Sequence, residues 1–381
     1  MDILIFFLVL FLLILVHEWG HFIAAKRFGI RVDEFGLGFP PKLFGWKKPG
    51  GETEYTFNLL PIGGFVKIFG EDPDDESIQG PDRDRSFVHK PKWQQAIVLI
   101  AGVTMNIVLA WVLYVGGYLG GMPTQIDESE LDTYPNAQLV IAAVIPDSPA
   151  AEAGVEPGDA ITAISGVAAE SRGGGGEQLT PSAITDAVAA ASAGATATPL
   201  TLTLARGEES LTTELTPEVI TLTTPAGAEE ERPAIGIQMS LAAIKRHPPH
   251  EALWLATERT WELLGAVVVG LGGFLASAAT GSADLNQVTG PVGIVNLVGD
   301  ASALGFAYLV TFTAFISLNL AVINLLPFPA LDGGRLLFVL IEKLKGSPIK
   351  PAVANAANTV GFVLLLLLML VVTVSDVVKL L

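Results

Sequence analysis

This sequence predicts a polytopic α-helical membrane protein of about four transmembrane helices, with a β-hairpin and one inserted α+β domain. Three observations predict it. Half of the 381 residues are hydrophobic and only 16% are charged, with a mean hydropathy of +0.52, which excludes an ordinary soluble protein. Apolar runs recur over 2–25, 94–120, 304–331 and 352–378, each meeting the roughly 20 residues a spanning helix needs. Between the second and third runs lies a stretch rich in Ala, Thr, Gly and Glu, 121–248, whose short alternating segments suit a water-exposed domain. The expected parts are therefore a first membrane part over 1–120, an insert over 121–248 and a second membrane part over 249–381.

Each element has its own signal. The first run begins with Asp2, not a basic residue, and no small-x-small site follows, so residues 2–25 read as a retained helix. Within 26–92, the segments 53–59 and 64–69 are β-prone and Pro61, Gly63 and Gly64 punctuate a turn between them, which reads as a hairpin. A charged loop follows at 72–86. In the insert, "SRGGGGEQLTPS" (171–182) reads as a flexible loop and "LTLTLA" (200–205) as a strand. Residues 252–280 are apolar but carry Glu258, Arg259 and Glu262, which favours a helix lying at the membrane interface over a free span.

Charge sets the expected orientation. The 26–92 segment holds eleven Lys and Arg, and 332–351 adds Arg335, Lys343, Lys345 and Lys350. The longer insert has only Arg172, Arg206, Arg232, Lys245 and Arg246. Both short basic segments should be cytoplasmic and the insert outside, in the plasma (inner) membrane. The net charge of −17, with no visible basic patch, excludes a nucleic-acid partner. The absence of cysteine excludes disulfides, thiolate metal sites and cysteine nucleophiles.

The chemistry sits where the first helix ends. In "VHEWGHF" (16–22), His17 and His21 lie one turn apart on one helical face. Two imidazoles so placed hold one divalent metal, usually Zn2+, and the intervening Glu18 reaches the water at that metal. Zinc lowers the pKa of such a water towards about 7, and Glu18 takes its proton. Polar groups at membrane depth are tolerated when they face the protein interior and coordinate something. The bland reading is chance, or histidines reaching the interface.

A catalytic zinc needs a third protein ligand and an open position. Asp332, in "NLLPFPALDGGR" (324–335), is the best candidate at the same end of the bundle. Pro327 and Pro329 break the helix there, and irregular backbone near lipid is viable only when buried in protein or lining a polar cavity. The alternative is an ordinary Asp-Gly-Gly turn closing a helix.

"HEWGH" on the first membrane helix, with "NLLPFPALDGG" on a late one, resembles the site-2 proteases, membrane-embedded zinc metalloproteases that cut transmembrane helices. The resemblance implies that His17, His21 and Asp332 bind zinc and that Glu18 is the base. It also implies a substrate-holding or supporting role for Asn324, with Asn319 a weaker candidate; an interhelical hydrogen bond is the alternative for both. "PIGGFVKIFGE" (61–71) is similar to the family's membrane-associated β-hairpin. A strand edge at Gly64, Phe65 and Val66 would capture an unwound substrate by β-addition, or merely cover the site. "GPVGIVNL" (290–297) and "IEKLKG" (341–346) match comparable segments. "VIPDSPAAEAGVEPGDAITAISG" (144–166) resembles the core of a PDZ domain, with a second helix over 182–193, so that one PDZ-like domain covers about 138–220. It would be a binding groove or size filter, or a passive spacer. "GLGF" (36–39) matches a PDZ loop motif but lies outside that segment, and reads as a glycine-rich loop near the active site.

The expected function is intramembrane zinc endopeptidase action on single-span membrane proteins, within regulated proteolysis. The resemblance implies an anti-sigma factor as one such substrate. The rival readings are a non-catalytic scaffold or pseudoprotease displaying the PDZ-like module, and a metal transporter. An intact Glu18 argues against the first, and the lack of a histidine-rich loop argues against the second.

Overall fold

The computed structural model describes residues 2–71, 80–165, 170–172, 176–194, 197–207, 209–223, 229–282 and 289–379. Part of the charged loop expected over 72–86 and part of the glycine-rich loop over 171–182 lie outside those residues. The chain forms two compact units, residues 1–117 with 248–381, and residues 118–247.

In the first unit the opening apolar run is one helix, α1 (Asp2–Arg27), about 39 Å long at 1.5 Å per residue. It stops where Lys26 and Arg27 meet the helix C-terminus and Gly29 takes φ +66°. The amide of Ile30 then bonds Ala25 O at 2.9 Å, closing the last turn.

Two long bent strands follow, β1 (Val32–Lys47) and β2 (Glu54–Ile68), paired antiparallel. Their register corrects the expected hairpin. Residues 34–37 are partnered by 64–67 and also by 54–57, while 44–47 pair with 54–57. The two β-prone segments therefore flank the first half of β1 and do not pair with each other. The "GLGF" segment, expected as a loop, is the strand between them. Glycine makes this possible: a Cβ on Gly36 would lie 2.4 Å from the Phe65 ring, and Gly38 has φ +80°. The sheet packs through Val32, Phe35, Val66 and Ile68 into a core with Ala25, Val98, Leu99 and Val339.

The second apolar run is α2 (Lys92–Gly120). Its buried residues, Gln95, Val98, Leu99, Gly102, Val103, Asn106, Ala110, Tyr114 and Gly117, recur at three- and four-residue steps and form one stripe.

The second unit contains β3 (Met122–Ile126), β4 (Gln138–Val144), α3 (Pro149–Glu152), β5 (Ala160–Ile164), β6 (Glu170–Arg172), β7 (Gly176–Gln178), α4 (Pro181–Ser192), β8 (Leu200–Arg206), β9 (Glu209–Leu215), β10 (Glu218–Thr223), β11 (Glu229–Ala234) and β12 (Ile237–Lys245). Six strands form an antiparallel sheet in the order β3-β12-β4-β5-β8-β9. The pairs β6–β7 and β10–β11 stand apart from it. Strand alternation buries Leu200, Leu202 and Leu204. α4 adds Ile184, Val188 and Ala191, and the Thr180 hydroxyl caps it through the Ala183 amide. Asp159 is buried and takes two bonds from Arg206, at 2.7 and 2.8 Å.

The remaining helices belong to the first unit: α5 (Pro249–Ala279), α6 (Pro291–Ala303), α7 (Phe306–Leu325), α8 (Asp332–Lys345) and α9 (Pro351–Lys379). Among the described residues five helices, α1, α2, α5, α7 and α9, are long and apolar enough to cross a membrane, so this is an integral membrane protein of polytopic helical type with a β domain. Four spans were expected; α5, read as interfacial, also has the length and hydropathy to cross. Its charges Glu258, Arg259 and Glu262 are followed by seventeen uncharged residues, 263–279, close to the shortest apolar length that spans a bilayer. α7 ends at Leu325, before Pro327, and the segment expected as a basic loop after Asp332 is largely α8. Asp376, near the end of α9, accepts the amides of Gly290 (3.1 Å) and Gly293 (2.8 Å) and so caps α6.

Candidate metal centre

Two helices approach closely at the HEWGH turn. A Cβ on Gly20 would lie 2.4 Å from Ala101 O, and one on Gly102 would lie 2.4 Å from His21 Nε2 and 2.8 Å from His17 Nε2. Only glycine at both positions allows α1 and α2 this close and leaves room for the imidazoles. The rings are then fixed from behind. His21 Nδ1–H donates to Val98 O at 2.8 Å, which leaves Nε2 with a free lone pair. His17 Nδ1 lies 3.2 Å from the side-chain amide of Asn106. Both histidines are only 7% exposed.

Asp332 reaches them through a sharp return. After α7 the chain passes Leu326-Pro327-Phe328-Pro329, and Ala330 adopts φ +75°. The Ala330 amide bonds Asn358 Oδ1 at 3.3 Å. A Cβ on Gly333 would lie 2.2 Å from Leu326 O, and one on Gly334 2.2 Å from Phe328 O. These two glycines let α8 begin hard against the preceding turn, with Asp332 as its first residue.

The outcome is a compact donor triangle. Asp332 Oδ2 lies 3.0 Å from His17 Nε2 and 3.3 Å from His21 Nε2, and the two Nε2 atoms are 3.1 Å apart. Three donors on a tetrahedral ion with bonds of about 2.0 Å are separated by about 3.3 Å. The triangle therefore has the size of three corners of a zinc site, and its two-imidazole, one-carboxylate composition suits that ion. The residues present fit the metal.

Glu18 stands beside this triangle and outside it. The Val66 backbone amide faces its carboxylate, and a Cβ on Gly64 would lie 3.6 Å from Glu18 Cγ. Gly64 and Val66 are thus on the Glu18 side of β2. Phe65 points to the opposite face, where its ring stacks on Phe39 at 6.5 Å. Asn319 donates to Phe315 O in its own helix at 2.9 Å. Asn324 is half-buried near the end of α7. Among the described residues, neither asparagine bonds to His17, His21 or Asp332.

Residues overlooked in the sequence complete the surroundings. Arg335, one turn after Asp332, forms an ion pair with Glu71. Burial opposes its charge, but Glu71 and then Asp332 hold the guanidinium pKa above its ordinary value. A cavity of about 410 Å³ opens beside Asp332 and Arg335, lined also by Ala330, Asn358, Thr359 and Phe362. A larger one of about 1180 Å³ shares Arg335 and Asn358 with it and is lined also by Glu71. Asn106 did leave a signal: with Thr104 and Gly102 it interrupts an otherwise apolar run from Ile97 to Ala110, and polar residues at membrane depth are candidates for function. Arg335 and Glu71 are 264 residues apart, and nothing local connects them.

Comparison with known proteins gives a consistent result. A profile described as "Peptidase family M50" matches residues 5–368. A Clostridium perfringens protein named "Putative zinc metalloprotease CPE1693" is 37% identical over 367 residues, covering 96% of this chain and 95% of the relative. A Clostridium acetobutylicum protein of the same description is 34% identical, covering 99% and 97%. "Regulator of sigma-W protease RasP" of Bacillus subtilis is 29% identical over 455 residues, covering 100% and 99%.

Proposed function

This chain belongs to peptidase family M50, the site-2 proteases, and is a zinc metalloprotease; on that premise we propose that it cleaves peptide bonds in or near the transmembrane segments of single-span proteins, with His17, His21 and Asp332 as zinc ligands and Glu18 as base. The observation that carries this reading is the donor triangle, with Glu18 immediately beside it. Zinc, when bound, supplies Lewis acidity towards water and the scissile carbonyl. Glu18 accepts a proton from the attacking water as its oxygen bonds to the carbonyl carbon. It delivers that proton to the leaving nitrogen as the C–N bond breaks. Val66 N–H faces the Glu18 carboxylate, and Gly64, having no side chain, leaves space next to it.

The edge of β2 at residues 64–66 is the proposed substrate platform. A helical substrate hides its amides in internal bonds, so cleavage requires an extended stretch, and a strand edge stabilises one by backbone pairing. Asn324 and Asn319, near the end of α7, are proposed to hold or support that stretch.

We place the active site towards the cytoplasm and residues 121–248 outside, following the Lys and Arg distribution. Four crossings, by α1, α2, α7 and α9, satisfy it, with α5 at the interface. Exposed Trp254 and Trp261 beside Arg259 and Glu262 support that place for α5. The Gly290–Asp376 bond supports it too: Asp376 lies eighteen residues along α9 from Asn358, so α6 starts about 27 Å from the Asp332 end. The unit containing α4 and the six-stranded sheet is read as PDZ-like over about 138–220 and as a substrate filter. A Bacillus relative is named "Regulator of sigma-W protease RasP", and an anti-sigma factor is proposed as one substrate within regulated proteolysis.

The test uses purified protein in liposomes with a single-span substrate, its products identified by mass. Glu18→Gln should keep stoichiometric zinc while cleavage falls by about 10²–10⁴-fold. Unchanged cleavage removes Glu18 from the mechanism, and cuts confined to soluble loops remove the intramembrane assignment.

A further inference from the structure

Asn106 is fully buried in α2, at the level of the metal centre, and touches it from behind. In the structure its amide nitrogen faces His17 Nδ1 at 3.2 Å. The amide oxygen has no hydrogen-bond partner among the described residues, so nothing on that side holds the amide in this orientation. The two orientations of an asparagine amide are distinguished by hydrogen bonding, not by shape.

The ring decides between them. If the amide nitrogen donates to Nδ1, the neutral imidazole carries its proton on Nε2. That proton then points at Asp332 Oδ2, 3.0 Å away, and occupies the lone pair a metal needs. If the amide oxygen accepts from Nδ1–H, Nε2 is bare and faces the other two donors. His21, four residues on, already has this second arrangement, with Val98 O accepting from Nδ1. The Asn106 backbone is itself fastened: Ser317 Oγ, fully buried in α7, donates to Asn106 O at 2.8 Å.

We propose that Asn106 is a positioning residue that turns its amide oxygen to His17 Nδ1–H, fixing the ring and the tautomer that leave Nε2 free for zinc. Ser317 keeps this support aligned with α7. The proposal rests on the reading of His17 as a zinc ligand.

The test separates the two. With full-length protein in lipid nanodiscs, zinc stoichiometry and dissociation constant are measured by chelator competition. Asn106→Leu, which matches the shape but cannot accept, should weaken zinc by about 10–100-fold, the usual cost of losing such a partner. Asn106→Asp, which still accepts, should stay within about threefold of the parent. Unchanged affinity in Asn106→Leu overturns the role of Asn106. Stoichiometric zinc at parental affinity in His17→Ala overturns the ligand reading instead. The parent protein provides a check free of folding artefacts: zinc-free, labelled with ¹⁵N-histidine and held at a pH above the imidazole range. Its His17 signals, assigned by their loss in His17→Ala, should show the Nδ1–H tautomer. An Nε2–H tautomer or a doubly protonated ring overturns the proposal.

Discussion

The two units bury different things. In the membrane unit, His17, His21, Gln95, Asn106, Ser317 and Asp376 are all buried, and each has a polar partner. In residues 118–247 the interior is a continuous apolar cluster around Leu202, Leu204, Ile141 and Ile184. Its few buried polar groups, Ser148, Asp159 and Thr180, serve turns and caps. Solvent explains the contrast. In water, burying apolar surface drives folding. In lipid the surroundings are as apolar as leucine, so helices are fastened by close backbone approach and polar bonds. Gly20 against Ala101 and Ser317 against Asn106 are fastenings of that kind. The membrane unit can therefore keep a hydrophilic centre in its interior, while the second unit has nowhere to put one.

This contrast makes mutational effects separable. Removing the carboxylate with Asp332→Ala should abolish stoichiometric zinc and cleavage together while the melting of residues 118–247 stays put. Retained metal and turnover would mean that another residue is the third ligand. The converse change, Leu202→Ala, empties a fully buried position and should destabilise the second unit by about 2–5 kcal/mol, with zinc affinity in the membrane unit unaltered. A shift in zinc affinity would show the two interiors to be coupled. Breaking the Arg335–Glu71 pair tests a finer point within the membrane unit. Arg335→Met leaves Glu71 without its partner beside the metal centre, and kcat/KM should fall about tenfold, roughly 1.4 kcal/mol. Zinc stoichiometry should hold, and an unchanged kcat/KM would reduce the pair to decoration.

The smallest effect concerns acid. Burial alone would raise the Asp159 pKa, but the Arg206 bonds and the Glu156 amide outweigh it and hold the carboxyl below its ordinary value. A carboxyl lowered in the folded state stabilises above its unfolded pKa, and that contribution disappears as pH falls through the folded value. Asp159→Asn should therefore cost about 1 kcal/mol at neutral pH and progressively less below about pH 4. A melting difference that is flat from pH 7 to pH 3 contradicts this.

Legibility in the sequence followed the range of the interaction. Hydrophobic runs and the i, i+4 histidine pair are local, so α1, α2, α7, α9 and the pairing of His17 with His21 could be read directly. Strand β8 was legible by its alternation, and the helix expected over 182–193 is α4, Pro181–Ser192. Asp332 was only one of two readings until family likeness was added, because its approach depends on Gly333 and Gly334 meeting carbonyls of Leu326 and Phe328. The sheet was misread because β1 inserts between segments that look like natural neighbours. The Arg335–Glu71 pair left no sequence trace, since each residue alone resembles any surface charge.

The close contact of α1 with α2 also has a consequence in time. Both imidazoles and their rear supports, Val98 and Asn106, are synthesised within the first 106 residues, whereas the carboxylate arrives only with residue 332. A ribosome making this chain therefore inserts a half-built and unarmed hairpin first. With Asp332 as the proposed third ligand, the donor set is completed only after more than two hundred further residues have been threaded.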